Sequence, residues 1–418
     1  MNLHWDDAAA RRCQSALALR AYTSRLIGSD RSLVLYGGGN TSLKLDDTLY
    51  VKGTGSNLAT VREEHFTALD LGALRALLQE TALPDAELMR RIDGCKRDPA
   101  APKPSIETLL HAVLPYAFVE HAHADAVLAV ANVADCAVAC AAAFGELAPV
   151  VPYRHSGAAL ARACRDVFER EATPHTIGLI LAFHGVVAFG NTARASYENL
   201  LRLVSRAEDY LRQHGAPTPA AMAEAAANPA AADSATADSA TVDSATVDSA
   251  TVDFATTANL HAAVSAVAGF PLALKVLSTP ATLAYARRPD LAGISQQGPP
   301  TPQHAIYTKR VPLLGSDVGA YAADYRAYLA RTLGIVADGR IDAAPRIALS
   351  PAFGLCAFGV DAHHAAVAAE IYVHDIDIIT RASAHGTYRS AAEQDIARAE
   401  LAYGGFEQRV RARMSAAH

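Results

Sequence analysis

The sequence is poor in cysteine, and its few cysteines stand apart from one another. Its 418 residues contain six of them, and no two form a Cys-X-X-Cys pair. A zinc ribbon requires such pairs, and a disulfide-stapled secreted domain carries far more cysteine for its length. Neither class of protein is therefore predicted.

Excess basic charge, export signals and long apolar runs are also missing. The formal net charge is −6 at pH 7, which does not favour nucleic acid as a main partner. The first residues, MNLHWDD, show no basic segment followed by an apolar one, so no signal peptide is visible. Asn132 and Asp135 interrupt the alanine-rich run 126–145, which favours a buried helix over a membrane span. We expect a cytoplasmic protein without membrane or nucleic-acid partners.

The length predicts two or three domains, and a low-complexity stretch marks a boundary between them. A five-residue unit, Asp-Ser-Ala-Thr-Val, recurs between residues 233 and 252. Its period fits neither a helix face nor a strand, so residues 215–257 are predicted to be a disordered linker. The linker separates a first domain, residues 1–214, from a second, residues 258–418.

Helical and strand patterns alternate along the first domain, which predicts an α/β fold. Hydrophobic spacing and capping residues predict helices at 8–26, 106–115, 126–144 and 193–213. Short apolar runs predict strands at 33–36, 118–123 and 177–183. A hairpin is predicted where residues 43–45 and 49–51 flank the Asp46-Asp47 pair.

Two histidines, His121 and His123, stand two residues apart on a predicted strand. Side chains alternate along a strand, so both imidazoles point to the same face. With a third histidine and a carboxylate supplied by the fold, they would make a divalent metal site with an open coordination position. His184 is the candidate third ligand, because it ends an apolar strand and precedes a glycine that permits close approach. Asp125 is a candidate hydrogen-bond partner that would orient these imidazoles without ligating the metal itself.

Glu107 is the candidate proton shuttle beside this metal. It lies in the first turn of a predicted helix, where the helix dipole alone would account for a carboxylate. Its nearness in sequence to the histidine pair favours the catalytic role. His111, one helical turn later on the same face, is interpreted as a packed core histidine, with support of the metal site as the alternative.

Two glycine-rich turns follow predicted strands, at residues 37–42 and 52–57. Exposed backbone N–H groups and small hydroxyls at such turns suit a phosphate, and Ser105 adds a hydroxyl at a helix start. Neither turn matches a Walker A loop or a dinucleotide fingerprint, so nucleotide binding is not indicated. The predicted anion site consists of Asn40, Thr41, Thr54, Gly55 and Ser105.

The second domain contains a segment similar to one in the first. Residues 184–193, HGVVAFGNTA, compare with residues 353–362, FGLCAFGVDA, and an apolar run precedes both. A degenerate duplicated domain explains the likeness, and chance similarity between two strand-turn-helix segments is the alternative. Under duplication Phe353 replaces His184, so the second domain would lack metal ligands and would be structural or shape a substrate site.

Five motifs together resemble the class II aldolase and adducin family, and they occur in that family's order. They are Gly-Asn-Thr-Ser at 39–42, Lys-Gly-Thr-Gly at 52–55, Pro-Ser-Ile-Glu at 104–107, His-Ala-His at 121–123 and His-Gly at 184–185. Four further segments are similar to the aldolase half of bifunctional rhamnulose-phosphate aldolase/short-chain dehydrogenase proteins: residues 105–111, 298–304, 345–347 and 354–359.

The resemblance implies a three-layer α/β/α domain around a central, mostly antiparallel sheet. The second domain is expected to be a smaller α/β unit. Zinc or another divalent cation is implied, with His121, His123 and His184 as its ligands and Glu107 as the catalytic acid/base. Asn40, Thr54, Gly55 and Ser105 correspond to contacts with a substrate phosphate. Family members are commonly homotetramers, so a homo-oligomer is expected.

Three features depart from the family pattern. Ser105-Ile106 stands where fuculose-phosphate aldolases have two serines, which removes one hydroxyl from the phosphate site. The family's catalytic tyrosine has no clear counterpart, and Tyr153 is its candidate substitute. The chain stops near where a dehydrogenase half would begin and carries no dinucleotide fingerprint, so oxidoreductase activity is not expected.

The resemblance thus predicts a metal-dependent aldehyde-lyase of carbohydrate metabolism. Its expected reaction is reversible cleavage of a ketose 1-phosphate, similar to rhamnulose 1-phosphate, to dihydroxyacetone phosphate and an aldehyde. One alternative is a sugar-phosphate epimerase using retro-aldol chemistry, although the family's epimerases usually carry Asp at the position of Glu107. The other is a non-catalytic, adducin-like interaction module, against which the three retained histidines argue.

Overall fold

The computed structural model describes residues 4–80, 83–218, 254–335 and 342–402. The chain divides into two compact units, Met1–Gly215 and Ala216–His418. Most of the predicted linker, 215–257, lies outside the described residues. Among the described helices, none combines the length and the apolar character that a bilayer crossing requires.

Helices and strands alternate through the first unit, as the sequence predicts. The helices are α1 (Asp7–Arg11), α2 (Ala16–Gly28), α3 (Leu71–Leu77), α4 (Asp85–Asp93), α5 (Thr108–Val113), α6 (Asp125–Ala131), α7 (Cys136–Phe144), α8 (Ala158–Glu171) and α9 (Ala193–Gln213). The strands are β1 (Asn40–Leu45), β2 (Thr48–Lys52), β3 (Phe66–Asp70), β4 (Phe118–Ala122), β5 (Val150–Val151), β6 (Gly178–Leu181) and β7 (Gly185–Gly190). Single 3-10 turns lie at Leu58–Thr60, Glu63–His65 and Gly145–Leu147.

The strands form one mixed sheet in the order β3-β2-β1-β4-β7-β6-β5. All neighbours pair antiparallel except β5 and β6, which are parallel. Apolar side chains of α5 and α8 pack on one face beside Val119 and Val187, and those of α2 and α9 pack on the other beside Leu43 and Phe118. The expected three-layer arrangement around a mostly antiparallel sheet is confirmed.

Several local predictions are also confirmed. Asp46 and Asp47 form the turn of the β1–β2 hairpin, and Asp46 takes a φ of 50°. Strand β4 and helix α9 lie where the sequence places them, the latter with Thr192 as its N-cap. The hydrophobic spacing of a long amphipathic helix is a strong signal, which explains the agreement for α9.

Two predicted helices are wrong because polar residues divide them. The helix predicted at 8–26 ends at Arg11 and resumes at Ala16, where the side chain of Ser15 accepts a hydrogen bond from Ala18 N. The helix predicted at 126–144 breaks at Asn132, whose φ of −93° and ψ of 49° leave the helical region. A side chain that bonds to nearby backbone, as that of Ser15 does, competes with a continuous helix.

The strand predicted at 33–36 is wrong for a related reason. The Asp30 carbonyl accepts from Leu33 N and Val34 N, and the Asp30 carboxylate accepts from Ser32 N. These turn bonds use backbone groups that a strand ladder would need. The apolar side chains of this segment are buried all the same, so hydrophobicity alone misled the prediction.

The second unit is a smaller α/β domain. Its helices are α10 (Phe254–Ala268), α11 (Pro280–Ala286), α12 (Leu291–Ser295), α13 (Pro302–Thr308), α14 (Val318–Leu333), α15 (Ala362–His385) and α16 (Glu393–Ala402). Its strands are β8 (Ala273–Leu277), β9 (Leu313–Leu314), β10 (Ile347–Ser350) and β11 (Gly354–Gly359). They form a sheet in the order β8-β11-β10-β9, with β9 and β10 parallel and the other pairs antiparallel.

This second sheet repeats the order and direction of β4-β7-β6-β5 in the first. The β10–β11 hairpin pairs Ile347 with Ala357, just as the β6–β7 hairpin pairs Gly178 with Ala188. A long helix capped by Asp361 or Thr192 follows each hairpin. The agreement in register supports the interpretation of the second domain as a degenerate copy.

The shared register also shows what stands at the positions of the three histidines. Val276 and Ser278 correspond to His121 and His123, because β8 meets β11 as β4 meets β7. Phe353 corresponds to His184, immediately before the glycine that opens the second hairpin strand. The second unit therefore has apolar or hydroxyl side chains at these positions.

Candidate metal centre

The sheet brings the three candidate histidines together where the central strand β4 ends and its neighbour β7 begins. His121 lies on β4 and His123 follows its end, while His184 lies in the turn between β6 and β7. Strand β4 pairs with β7 so that His121 stands opposite Val187. All three side chains are buried, and their ligand nitrogens lie within 4.8 Å of one another. The predicted triad thus forms one cluster.

The donor set fits a divalent cation. His121 Nδ1 lies 3.0 Å from the carbonyl of Val186, so this nitrogen carries the proton and Nε2 presents its lone pair to the cluster. His121 Nε2 and His123 Nε2 are 3.1 Å apart. Two nitrogens on one tetrahedral zinc, each at about 2.0–2.1 Å, would lie roughly 3.3 Å apart. Burial lowers the pKa of His121 to about 4, which keeps its ring in the neutral form that ligation requires.

Glu107 is placed against this cluster by the turn that precedes α5. Its Oε1 lies 3.0 Å from His184 Nε2, and its Oε2 lies 3.6 Å from His121 Nε2. Burial acts to raise the pKa of this carboxyl, but the neighbouring imidazoles of His121 and His184 outweigh that effect and lower it well below its usual value. The structure therefore presents an ionised carboxylate directly beside the candidate ligands.

Two further side chains hold the carboxylate. Asn40 Nδ2 donates to Glu107 Oε2 at 2.6 Å, and Ser156 Oγ donates to Glu107 Oε1 at 3.2 Å. Ser156 belongs to the loop after β5 and carried no sequence signal, since a lone serine in a loop is unremarkable by itself. His111, interpreted as a packed histidine, is fully buried and contacts Asn40 Oδ1.

The predicted anion residues divide into three groups. Thr54 and Gly55 lie exposed in the loop after β2, and Thr54 N donates to Lys103 O, which places this loop beside Ser105. Asn40 is bound to Glu107, as described above. Thr41 points to the opposite face of β1, where its hydroxyl lies 2.8 Å from Ser24 Oγ. The fold therefore gathers Thr54, Gly55 and Ser105 but turns the side chain of Thr41 away from the histidines.

A buried lysine beside this loop was not singled out from the sequence. Lys52 ends β2, is 3% exposed and donates from Nζ to Ser56 O at 2.8 Å. Burial lowers its pKa to about 8, against an opposing effect of the Glu107 charge. The lysine closes the loop that carries Thr54 and Gly55, and it brings positive charge near the predicted anion site.

The opposite face of β4 is held by a buried ion pair. Arg20 Nη1 lies 2.7 Å from Glu120 Oε1, and neither side chain is exposed. Ser196 Oγ donates to the same oxygen at 2.7 Å. Because Glu120 alternates with His121 along the strand, its carboxylate belongs to this pair and not to the metal cluster. These two contacts link β4 to α2, which carries Arg20, and to α9, which carries Ser196.

Gly185 is required by the close packing of this site. Its φ is 156°, and a Cβ at this position would lie 2.4 Å from the carbonyl oxygen of Ala122 and 3.0 Å from the His123 ring. The contacted backbone atom cannot move away without disturbing the β4–β7 pairing. A side chain here would therefore displace the strand that carries the histidine pair.

We expect Gly185→Ala to lower the free energy of unfolding by about 3 kcal/mol, since it combines backbone strain with a backbone clash. For a unit of this size the corresponding loss of melting temperature is roughly 6–12 °C. Thermal unfolding of the purified protein measures this shift. The control is Gly293→Ala, whose Cβ would meet no atom within 4 Å. An unchanged melting temperature for Gly185→Ala would contradict the packing argument.

Two family models match this chain, and together they cover most of it. The model described as "Class II Aldolase and Adducin N-terminal domain" matches residues 18–211. The model described as "Aldolase class II, second domain" matches residues 251–409. The two matches fall on the two units of the structure.

The chain is also similar to individual proteins. A Bacillus subtilis (strain 168) protein named "Uncharacterized oxidoreductase YuxG" is 27% identical over 424 residues, which cover 94% of this chain and 58% of that protein. The N-terminal class II aldolase domain of a conserved protein from Thermoplasma acidophilum is 34% identical, covering 50% of this chain and 99% of that one, with a TM-score of 0.46. The L-fuculose-1-phosphate aldolase of Thermus thermophilus is 18% identical. The match covers 46% of this chain and 95% of that one, with a TM-score of 0.32.

Proposed function

Because the chain belongs to the class II aldolase and adducin family, we propose that it is a metal-dependent lyase acting on a ketose 1-phosphate. Its expected products are dihydroxyacetone phosphate and an aldehyde, with a sugar similar to rhamnulose 1-phosphate as the first candidate substrate. One observation carries the proposal: the carboxylate of Glu107 lies 3.0 Å from His184 Nε2 in a cluster of three buried imidazoles. The expected homo-oligomer stays a prediction.

The cluster provides the electrostatic part of the reaction. A divalent cation held by His121, His123 and His184 would supply Lewis-acid stabilisation of negative charge on a substrate oxygen. Burial keeps bulk water away from these ligands, and the low local dielectric strengthens their interactions. The bond between His121 Nδ1 and Val186 O keeps that imidazole in one tautomer throughout.

Glu107 provides the proton transfer. Aldol cleavage takes a proton from a substrate hydroxyl on one side of the breaking carbon–carbon bond and gives one to carbon on the other side. An ionised carboxylate can do both in turn, first as base and then as acid. Asn40 holds Oε2 at 2.6 Å and Ser156 holds Oε1 at 3.2 Å, so the carboxylate is fixed in place for this transfer.

The phosphate group would bind at the loops beside Glu107. Thr54 and Gly55 are exposed there, and Ser105 lies two residues before Glu107 with its Oγ accepting from Glu107 N at 3.1 Å. Backbone N–H groups and small hydroxyls of this kind suit an anion. Binding the phosphate in these loops would hold the neighbouring carbon atoms of the substrate near the Glu107 carboxylate.

An assay of a small panel of ketose 1-phosphates tests the proposal. We expect the zinc-loaded protein to release dihydroxyacetone phosphate from at least one of them, as measured with a coupled reductase. Chelation followed by buffer exchange should abolish the release, and added zinc should restore it. An epimerised sugar phosphate without release of dihydroxyacetone phosphate would indicate the epimerase alternative. No reaction across the panel, with full metal content, would contradict the proposal.

A further inference from the structure

A chain of buried hydrogen bonds leads from the centre of the first unit to Glu107. Ser42 Oγ lies 2.8 Å from His111 Nδ1, and His111 Nε2 contacts Asn40 Oδ1. Asn40 Nδ2 then donates to Glu107 Oε2 at 2.6 Å. Ser42 and His111 are 0% exposed and Asn40 is 5% exposed. Three side chains thus stand in line behind one carboxylate.

The direction of every bond in this chain is fixed by the carboxylate at its end. An ionised carboxylate is only an acceptor, so Asn40 must present its amide nitrogen to Glu107. Asn40 then presents its oxygen to His111, which must donate from Nε2. The other nitrogen, Nδ1, is left to accept from the hydroxyl of Ser42. Reversing any single group would set two donors or two acceptors against each other.

His111 is suited to this fixed direction. Burial lowers the pKa of its ring well below the usual value, and the charge of Lys44 lowers it further. The ring therefore stays neutral, with its one proton on Nε2. A neutral imidazole with both nitrogens engaged is held in one orientation between β1 and α5.

From this geometry we propose that His111 is a positioning residue for proton transfer by Glu107, acting through Asn40. His111 prevents the Asn40 amide from flipping, so an N–H group always faces Oε2. With Oε2 held by Asn40 and Oε1 within 3.2 Å of Ser156 Oγ, the plane of the carboxylate is fixed against the histidine cluster. The inference rests on the proposed function in so far as Glu107 moves that proton.

Two substitutions of His111 separate positioning from packing. His111→Leu fills the space but donates no hydrogen bond, whereas His111→Gln can place an amide N–H where Nε2 stood. We expect His111→Leu to lower kcat by about 10- to 100-fold, with KM within about threefold of wild type and zinc content unchanged. His111→Gln should recover most of the lost kcat.

Lys44→Met is the matched control. Lys44 lies two residues beyond Ser42 on the same face of β1, and its Nζ donates to Tyr116 O at 2.9 Å, away from Glu107. Because burial is the larger cause of the lowered His111 pKa, the loss of Lys44 should change the melting temperature but leave kcat near wild type. Equal kcat values for His111→Leu and His111→Gln, or an equal loss in Lys44→Met, would overturn the proposal. A change confined to KM would overturn it as well.

A measurement without substrate tests the hydrogen-bond chain separately from the reaction. In ¹⁵N-histidine NMR spectra of the zinc-loaded protein, we expect His111 in the Nε2–H tautomer, without titration between about pH 6 and 8. Asn40→Leu should shift the His111 Nε2 resonance. An Nδ1–H tautomer or a titrating ring would overturn the inference even in an active enzyme. If no substrate is cleaved, the proposed function fails, and the NMR result still decides the inference.

Discussion

Glu107→Gln should lower turnover by about 10²- to 10⁴-fold, the range that general acid–base catalysis typically contributes. The amide cannot take up the substrate proton, but it keeps nearly the same shape. Its oxygen can still accept from Asn40 Nδ2, and its NH2 group can face the hydroxyl of Ser156. We therefore expect the melting temperature and the zinc content to stay near wild type while kcat falls. Thermal unfolding, metal analysis and steady-state kinetics measure these three quantities.

The control for this prediction is Glu169→Gln, which changes an exposed glutamate on α8 by the same atoms. It should retain full turnover. Turnover of Glu107→Gln within about threefold of wild type, with zinc bound, would remove Glu107 from the chemistry. Loss of zinc together with turnover would instead show that the carboxylate serves mainly to hold the metal.

His123→Ala should abolish both zinc binding and lyase activity. Outer-shell substitutions already weaken metal binding by 10- to 100-fold, so loss of a ligand should weaken it by about 100-fold or more. His123 Nε2 lies 3.1 Å from His121 Nε2, and no other described imidazole belongs to the cluster besides that of His184. Zinc content after dialysis, read by atomic absorption, should fall to a small fraction of the wild-type value.

His175→Ala is the matched control, because His175 is exposed in the same unit and belongs to no metal cluster among the described residues. It should bind zinc as the wild type does. Wild-type zinc content in His123→Ala would disprove the three-histidine site. Wild-type activity in a zinc-free sample would disprove the requirement for metal.

The sequence predicted the elements whose signals are local. A short apolar run predicted β4, and the two-residue spacing of His121 and His123 placed both on one face. The same rule could have shown that the Thr41 side chain faces away from the histidines, since Thr41 follows Asn40 directly on β1. Treating the turn as a single anion loop hid this alternation.

The parts that sequence alone could not supply depend on contacts between distant elements. Ser156 meets Glu107 only because the loop after β5 returns to the turn that precedes α5. His111 looked like an ordinary core histidine until its neighbours on β1 were known. The turn that replaces the strand predicted at 33–36 was missed too. The carbonyl of Asp30 determines the path of these residues, and the apolar pattern does not reveal it.

The two matched hairpins show that the backbone geometry that positions a side chain does not depend on the chemistry of that side chain. Gly185 and Gly354 both take positive φ values, and Gly190 and Gly359 both let the following helix pack against the strand. The second hairpin keeps this geometry with Phe353 in place of an imidazole. Reactive groups can therefore be exchanged on such a frame without rebuilding it, which makes the fold a natural carrier for new specificities.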